Sequence, residues 1–367
     1  METCDVLVIG GGPAGSTCAG RLVQAGLDVL LMDKQTFPRQ KTCAGWITPA
    51  VLEVLQIDPE EYRKERVLQD ISNFRVGLMY GSETVISYGK TVSYGIRRNE
   101  FDHYLLQRSP LRLSLGEAAT VLESNSDGWI VNGRIRARLL VGAGGHSCPV
   151  ARILGAKIGT EPVIVAQTAE FAMSRDQERI CHTAADTPAL FFCRDMKGYG
   201  WLFRKGEFLN VGLGRMDTVN LGYHTKDFCS FLKQRGDLAA GFSNRFQGHA
   251  YRLYGQQLGR SCVGDRALLV GDAAGLAYPQ SGEGILPAVE SALMAADTIL
   301  AAKDDYRQDK LQAYAAGLAS RLGGKSIALP SSHLSSELLR FLGARFLSSR
   351  WFVRHVVLDS WFLHAEH

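Results

Sequence analysis

The chain of 367 residues lacks long apolar runs: no window holds 18 uninterrupted apolar residues, which excludes a membrane-spanning helix on composition. It lacks an excess of one charge, with 41 Lys and Arg against 37 Asp and Glu, and it has no long basic run interleaved with aromatics. Nucleic acid is therefore not an expected partner. No basic leader or cleavable apolar stretch precedes the first strand-like segment, so the expected location is the cytoplasm, free or held peripherally at a membrane surface. The eight cysteines (Cys4, Cys18, Cys43, Cys148, Cys181, Cys193, Cys229, Cys262) form no C-x-x-C pair and no zinc spacing with histidine, so most should be small buried hydrophobes. No H-E-x-x-H and no G-x-S-x-G occurs, so zinc hydrolase and serine hydrolase readings have no support. His364 and His367 have a spacing that can pinch a metal on a helix, but a frayed terminus is the better reading, and no metal is expected.

What is present begins at once. Val6-Leu7-Val8-Ile9 runs into Gly10-Gly11-Gly12-Pro13-Ala14-Gly15, an apolar strand opening on a G-x-G-x-x-G turn. In such a turn Gly10 bends the chain out of the strand, Gly12 leaves room for a pyrophosphate, and Gly15 lets the following helix pack closely on the sheet. The phosphates sit at the positive end of that helix. Glycine-rich turns also arise for steric reasons alone, so the flanks decide. A helix over 14–25 ends at Gly26, a second apolar strand covers 29–32, and Asp33 closes it 18 residues after Gly15, where a ribose-binding acid belongs.

A second patch of the same form lies late in the chain. Ala267-Leu268-Leu269-Val270 leads into Gly271-Asp272-Ala273-Ala274-Gly275, then Ser281-Gly282-Glu283-Gly284-Ile285 and a helix through Leu300. The small residues permit close approach of a ligand, Asp272 offers an acceptor to hydroxyls, and the helix start over 284–287 supplies free N–H groups. An unconnected strand–turn–helix unit is the plain alternative.

With both patches in view, the chain resembles the FAD-dependent oxidoreductases of the glutathione-reductase-like superfamily, in the branch that holds aromatic hydroxylases, flavin-dependent halogenases and geranylgeranyl reductases. The resemblance implies FAD as cofactor, held by Gly10, Gly12, Pro13, Ala14, Gly15, Asp33 and Lys34 at the first turn. Gly271 and Asp272 resemble the motif that meets the ribityl and pyrophosphate, and Gly282, Gly284 and Ile285 the loop beside the isoalloxazine. Arg98-Asn99-Glu100-Phe101-Asp102 resembles the R-x-x-F-D segment whose arginine lies near the flavin, although Arg98 reads equally as a surface charge beside a helix cap.

Two further segments are similar to geranylgeranyl reductases. Phe37-Pro38-Arg39-Gln40-Lys41-Thr42-Cys43-Ala44-Gly45-Trp46 resembles their P-R-x-K-x-C-G-G loop, which implies Lys41, Cys43 and Ala44 beside the flavin ring; a buried structural thiol is the other reading of Cys43. Gly198-Tyr199-Gly200-Trp201-Leu202-Phe203-Arg204-Lys205 resembles their Y-x-W-x-F-P-K element, which implies that Tyr199 and Trp201 line a lipid pocket. Ala44 stands for a family glycine and Arg204 for the proline. A motif that normally reads G-A-D-G appears as Gly142-Ala143-Gly144-Gly145, without its aspartate. No second complete G-x-G-x-x-G exists, so no separate nicotinamide domain is expected, and NAD(P)H or another reductant remains open as electron donor.

The expected fold class is α/β, α+β overall: a Rossmann-like βαβ FAD-binding domain, discontinuous over 1–70, 96–160 and 262–325, with an antiparallel-sheet substrate domain over 71–95 and 161–261 and a helical C-terminus over 326–367. Segments 163–171, 190–193, 199–203 and 208–213 read as antiparallel strands, and 73–79 with 84–88 as a hairpin across Gly81-Ser82. The plausible hinge is Gly323-Gly324. Two helical stretches over 334–363, with Arg340, Arg345, Arg350 and Arg354 at intervals of four to five, either rest on a membrane or gate a lipid tunnel, or simply cover the substrate domain with snorkelling arginines; the cover is preferred.

The activity this implies is reduction of C=C bonds in an isoprenoid or other hydrophobic substrate by hydride from reduced flavin, with Cys43, Tyr199 and Trp201 as candidate catalytic residues. The alternative is an FAD-dependent monooxygenase of an aromatic or hydrophobic small molecule. A halogenase should show W-x-W-x-I-P where this chain has Gly200-Trp201-Leu202-Phe203-Arg204. A non-catalytic lipid-binding protein on a relict fold is the remote third reading.

Overall fold

Strand Glu2–Ile9 is apolar on both faces from Val6 onward because it lies in the middle of a parallel sheet covered on both sides. It pairs with Val29–Asp33 on one side and Ile135–Gly142 on the other, and Arg112–Leu115 and Ala267–Leu269 continue the parallel order outward. Helix Pro13–Gln24 crosses between the first two strands and packs beside Ile285–Ala301. Val6, Val8, Leu31 and Val141 meet those helices and Gln308–Gly323; Leu7, Leu30 and Leu140 fill the opposite face. The structure is a computed structural model, and it describes residues 1–217, 219–238, 242, 245–255, 261–323 and 336–364.

A second sheet of seven strands runs in the order Gln247–Tyr251, Ile164–Ala172, Phe208–Arg215, Gly198–Lys205, Ala189–Phe192, Asn73–Leu78, Glu83–Ser87. Neighbours are antiparallel except Ala189–Phe192 against Asn73–Leu78, so the expected hairpin is present and is joined edgewise to the expected strands. Segment Ser93–Ile96 pairs instead with Trp46–Ile47 and Leu68–Ile71 in a small third sheet. Helix Leu221–Gln234 covers one face through Phe228, Phe231 and Leu232. A methyl group at Gly200 would lie 2.6 Å from the Phe228 ring and one at Gly212 2.2 Å from the Trp201 ring, so bare backbone at both positions lets these aromatics lie against the sheet.

The other face is covered by the C-terminal segment through Leu347, Val353, Val357, Leu358 and Phe362, which matches the covering role expected of it. Its second stretch departs from expectation: after helix Ser336–Leu347, one α-turn, Arg350–Phe352, continues as a π-helix over Val353–Phe362. The wide turns bring Asp359 inward, where it accepts a hydrogen bond from the Tyr88 hydroxyl. Nor is the chain frayed at His364, whose ring packs on Tyr278 with centroids 3.9 Å apart. Gly324, Leu334, the Arg340 side chain and His367 lie outside the described residues. Among the described residues no helix is long and apolar enough to cross a membrane.

Candidate active site

The glycine turn divides its labour. Gly10 has φ +115°, and a Cβ there would lie 2.4 Å from the Ala143 carbonyl oxygen. A Cβ at Gly15 would fall 1.7 Å from the Gly10 carbonyl oxygen, so this glycine permits the contact of helix and strand. Gly12 caps the helix without any side chain, and the first atom a Cβ there would meet is Arg39 Nη2 at 3.5 Å, across open space. Asp33, at the end of its strand, accepts from Gly11 N at 2.7 Å and Gln35 N at 2.9 Å.

A cleft of about 550 Å³ runs from this turn to the seven-stranded sheet. Gly10, Gly12, Pro13, Ala14, Asp33 and Lys34 line one end; Lys41, Cys43, Ala44, Arg98 and Asp272 the middle; Gly282, Gly284, Ile285, Tyr199 and Trp201 the other. Of the residues singled out in the sequence, Gly15 and Gly271 do not line it. Both are packing glycines beneath its floor: Gly271 has φ +58°, donates to Ser291 Oγ at 3.0 Å, and has Ala14 and Ala288 where a side chain would project.

The Arg98 side chain is only 11% exposed and makes a bidentate pair with Asp102 at 2.7 and 2.9 Å, while Arg39 approaches the same carboxylate at 3.2 Å, so Arg98 is not a surface charge beside a cap. Burial opposes its charge, yet Asp102 and the Cys43 sulfur hold the guanidinium above the ordinary arginine value. Lys41 Nζ lies 3.1 Å from His249 Nδ1, and His249 Nε2 lies 3.5 Å from Asp272. Burial and the Arg98 charge push Lys41 down to about 8, and burial lowers His249. Asp272 stays below its usual value despite burial, because His249, Lys41 and Arg98 favour the carboxylate.

The loop carrying Cys43 is held from behind. The Cys43 carbonyl accepts from Asn210 Nδ2 at 3.0 Å, and Asn210 Oδ1 accepts from Trp201 Nε1 at 2.8 Å. Asn210 also reaches Glu170 at 3.0 Å, Lys205 Nζ donates to Glu170 at 2.7 Å and to the Ile96 carbonyl at 2.8 Å, and Arg97 completes the network. Burial works against the Glu170 charge, but Lys205 and Asn210 keep its carboxyl below the ordinary range. Glu170, Asn210 and His249 carry no motif, and proximity in the fold alone selects them. Lys205 had a readable signal, because it falls in phase with Tyr199, Trp201 and Phe203 on the inward face of one strand.

Glu283 sits in the 281–284 loop, where no motif assigns it a role. Its Oε1 accepts from Leu286 N at 2.8 Å; its Oε2 is buried, with His364 Nε2 at 4.0 Å and no closer hydrogen-bond partner among the described residues, and burial pushes the carboxyl up to about 7. The Tyr199 hydroxyl donates to the Ser281 carbonyl in the same loop. Beyond Tyr199 the cleft becomes aromatic, ending at Trp46 and Phe362. Where the expected aspartate is absent, Gly144, Gly145, His146 and Ser147 still line the cleft and the turn Gly145–Ser147 is intact. A helix end without a side-chain cap, open space over Gly12, Arg39 facing it and a carboxylate at the strand end make a donor set that fits FAD.

Comparison with known proteins agrees. Residues 3–58 match the family model described as an FAD binding domain. The digeranylgeranylglycerophospholipid reductase of Methanococcus vannielii is 26% identical over 312 residues, 81% of this chain and 76% of that protein. The menaquinone reductase of Mycobacterium tuberculosis is 28% identical over 321 residues, 81% of this chain and 77% of that one. Among solved structures, a geranylgeranyl bacteriochlorophyll reductase-like protein from Thermoplasma acidophilum superposes with a TM-score of 0.78 at 21% identity, covering 98% of this chain and 97% of its own. With a pyrophosphate turn, a cleft that fits the dinucleotide and reductase relatives along four-fifths of its length, the chain is an FAD-dependent oxidoreductase similar to the geranylgeranyl reductases.

Proposed function

We propose that the protein saturates C=C bonds of an isoprenoid or similarly hydrophobic substrate. The observation that carries this reading is the division of one cleft into a charged half, around Gly12, Lys41, Arg98 and Asp272, and an aromatic half formed by Tyr199, Trp201 and Trp46, with Cys43 and Glu283 where the halves meet. Relatives named for reduction of a prenylated glycerophospholipid and of menaquinone support the substrate class.

In this reading Asp33 takes ribose hydroxyls, the N–H groups after Gly12 and the Arg39 guanidinium take the pyrophosphate, and Asp272 takes the ribityl chain. Bound FAD, once reduced by NAD(P)H or another donor, supplies a hydride equivalent to one alkene carbon. The other carbon needs a proton, and Glu283 Oε2 holds one near neutral pH because burial keeps the carboxyl neutral. Hydride and proton together turn the alkene into two C–H bonds. Tyr199 and Trp201 exclude water and hold the chain flat, with Cys43 beside them. Exposed Phe341, Phe346 and Trp351, interleaved with exposed Arg345, Arg350 and Arg354, form the face that meets an anionic membrane surface from which a lipid enters.

The test is anaerobic turnover. Dithionite-reduced enzyme with a geranylgeranyl lipid should give a product about 2 Da heavier per bond reduced. An enzyme inert without oxygen that yields a product about 16 Da heavier in air is a monooxygenase, and the proposal falls.

A further inference from the structure

The aromatic half of the cleft ends at a side chain from the far end of the sequence. Phe362, 3% exposed, stacks on Trp46 with centroids 5.1 Å apart and planes at 13°, and meets Tyr199 edge-on at 5.4 Å. It is the one residue of the described C-terminal segment that lines the cleft. Behind it lies the apolar layer between the sheet and the C-terminal helices, which includes Phe192, Phe203, Val357 and Leu358. One ring thus stands between the cleft and that packed apolar layer.

The placement of that ring is imposed by the backbone. The i→i+5 bonds of Val353–Phe362 wind fewer degrees per residue than those of an α-helix, so the same ten residues as α-helix would carry Phe362 off this side. Buried Asp359 pins the wide turns through the Tyr88 hydroxyl and lies 3.1 Å from His355 Nδ1.

We propose that Phe362 is a specificity-determining residue that sets the depth of the apolar channel, and hence the length of prenyl chain the enzyme accepts. The proposal rests on the hydrophobic-substrate reading above. With the ring in place a chain ends against the Trp46–Phe362–Tyr199 stack; with a smaller side chain it passes into the layer beneath the C-terminal helix.

The test is binding, read from perturbation of the flavin absorption band when geraniol, farnesol and geranylgeraniol are titrated into oxidised holoenzyme. Wild type should bind with a length cut-off within this series. Phe362→Ala should move the cut-off longer by at least one isoprene unit and tighten the first excluded alcohol about tenfold, since each buried methylene favours binding, while the shortest alcohol is unaffected. Phe362→Leu, which keeps an apolar contact and the fold, should give an intermediate shift and serves where the alanine protein does not retain FAD. The same cut-off in wild type and in either flavin-loaded variant overturns the proposal. If no prenyl alcohol perturbs the flavin of any protein, the hydrophobic-substrate reading fails and this inference fails with it.

Discussion

Gly12 and Gly15, three residues apart in one motif, respond to different forces. A side chain at Gly15 collides with the Gly10 carbonyl, whereas one at Gly12 enters open space reserved for a ligand. Gly12→Val should therefore fold but lose about 3 kcal/mol or more of FAD affinity by titration, beyond the cost of one hydrogen bond to a charged group. Full FAD occupancy in that variant would refute the phosphate placement. Glu283 gives a second residue-scale prediction. Burial raises its folded pKa from 4.5 to about 7, so between those values the folded state keeps a proton that the unfolded chain has lost. Stability then falls as pH rises from 4.5 to 7 and is level above. Glu283→Gln removes that slope: relative to wild type the variant should gain up to about 3 kcal/mol between pH 4.5 and pH 8 in denaturant titrations. An unchanged difference across that range would show the carboxyl is not held neutral.

At the scale of elements, the strand Gly198–Lys205 was legible because its alternation puts three aromatics on one face. Its partner Phe208–Arg215 supplies Asn210, which no pattern flagged, since an Asn in a strand reads the same whether it faces water or the back of the Cys43 loop. The pairing register decides, by setting Asn210 opposite Phe203 on one neighbouring strand and opposite Glu170 on the other, Ile164–Ala172. Lys205→Met leaves Glu170 charged and short of its closest cation, and should cost about 3–5 kcal/mol in chemical denaturation. Glu170→Leu added to it should recover part of that loss. Purely additive losses would mean the pair does not act as a unit.

At the scale of the whole molecule, both sheets and the C-terminal segment contribute to one cleft, so FAD should stabilise them together. Holoenzyme saturated with FAD at about a thousandfold over its dissociation constant should gain about 4 kcal/mol. Calorimetry should show one transition rising with FAD concentration; a second transition that ignores FAD would show the seven-stranded sheet unfolding independently of the cofactor.

The sequence by itself determined the cofactor turn, the acid that follows it, the late Gly271-Asp272 loop and the inward aromatics, because each is local: a turn needs glycine at set positions and a strand repeats every two residues. Only the tertiary structure decided that Gly271 packs under the floor rather than lining the cleft, and that Arg98 is paired with Asp102. The same holds for His249 between Lys41 and Asp272, and for Phe362, 319 positions after Cys43, closing the aromatic end. Those facts depend on which distant surfaces meet and in what register, and on π-turns whose hydrogen bonding leaves no mark in residue spacing.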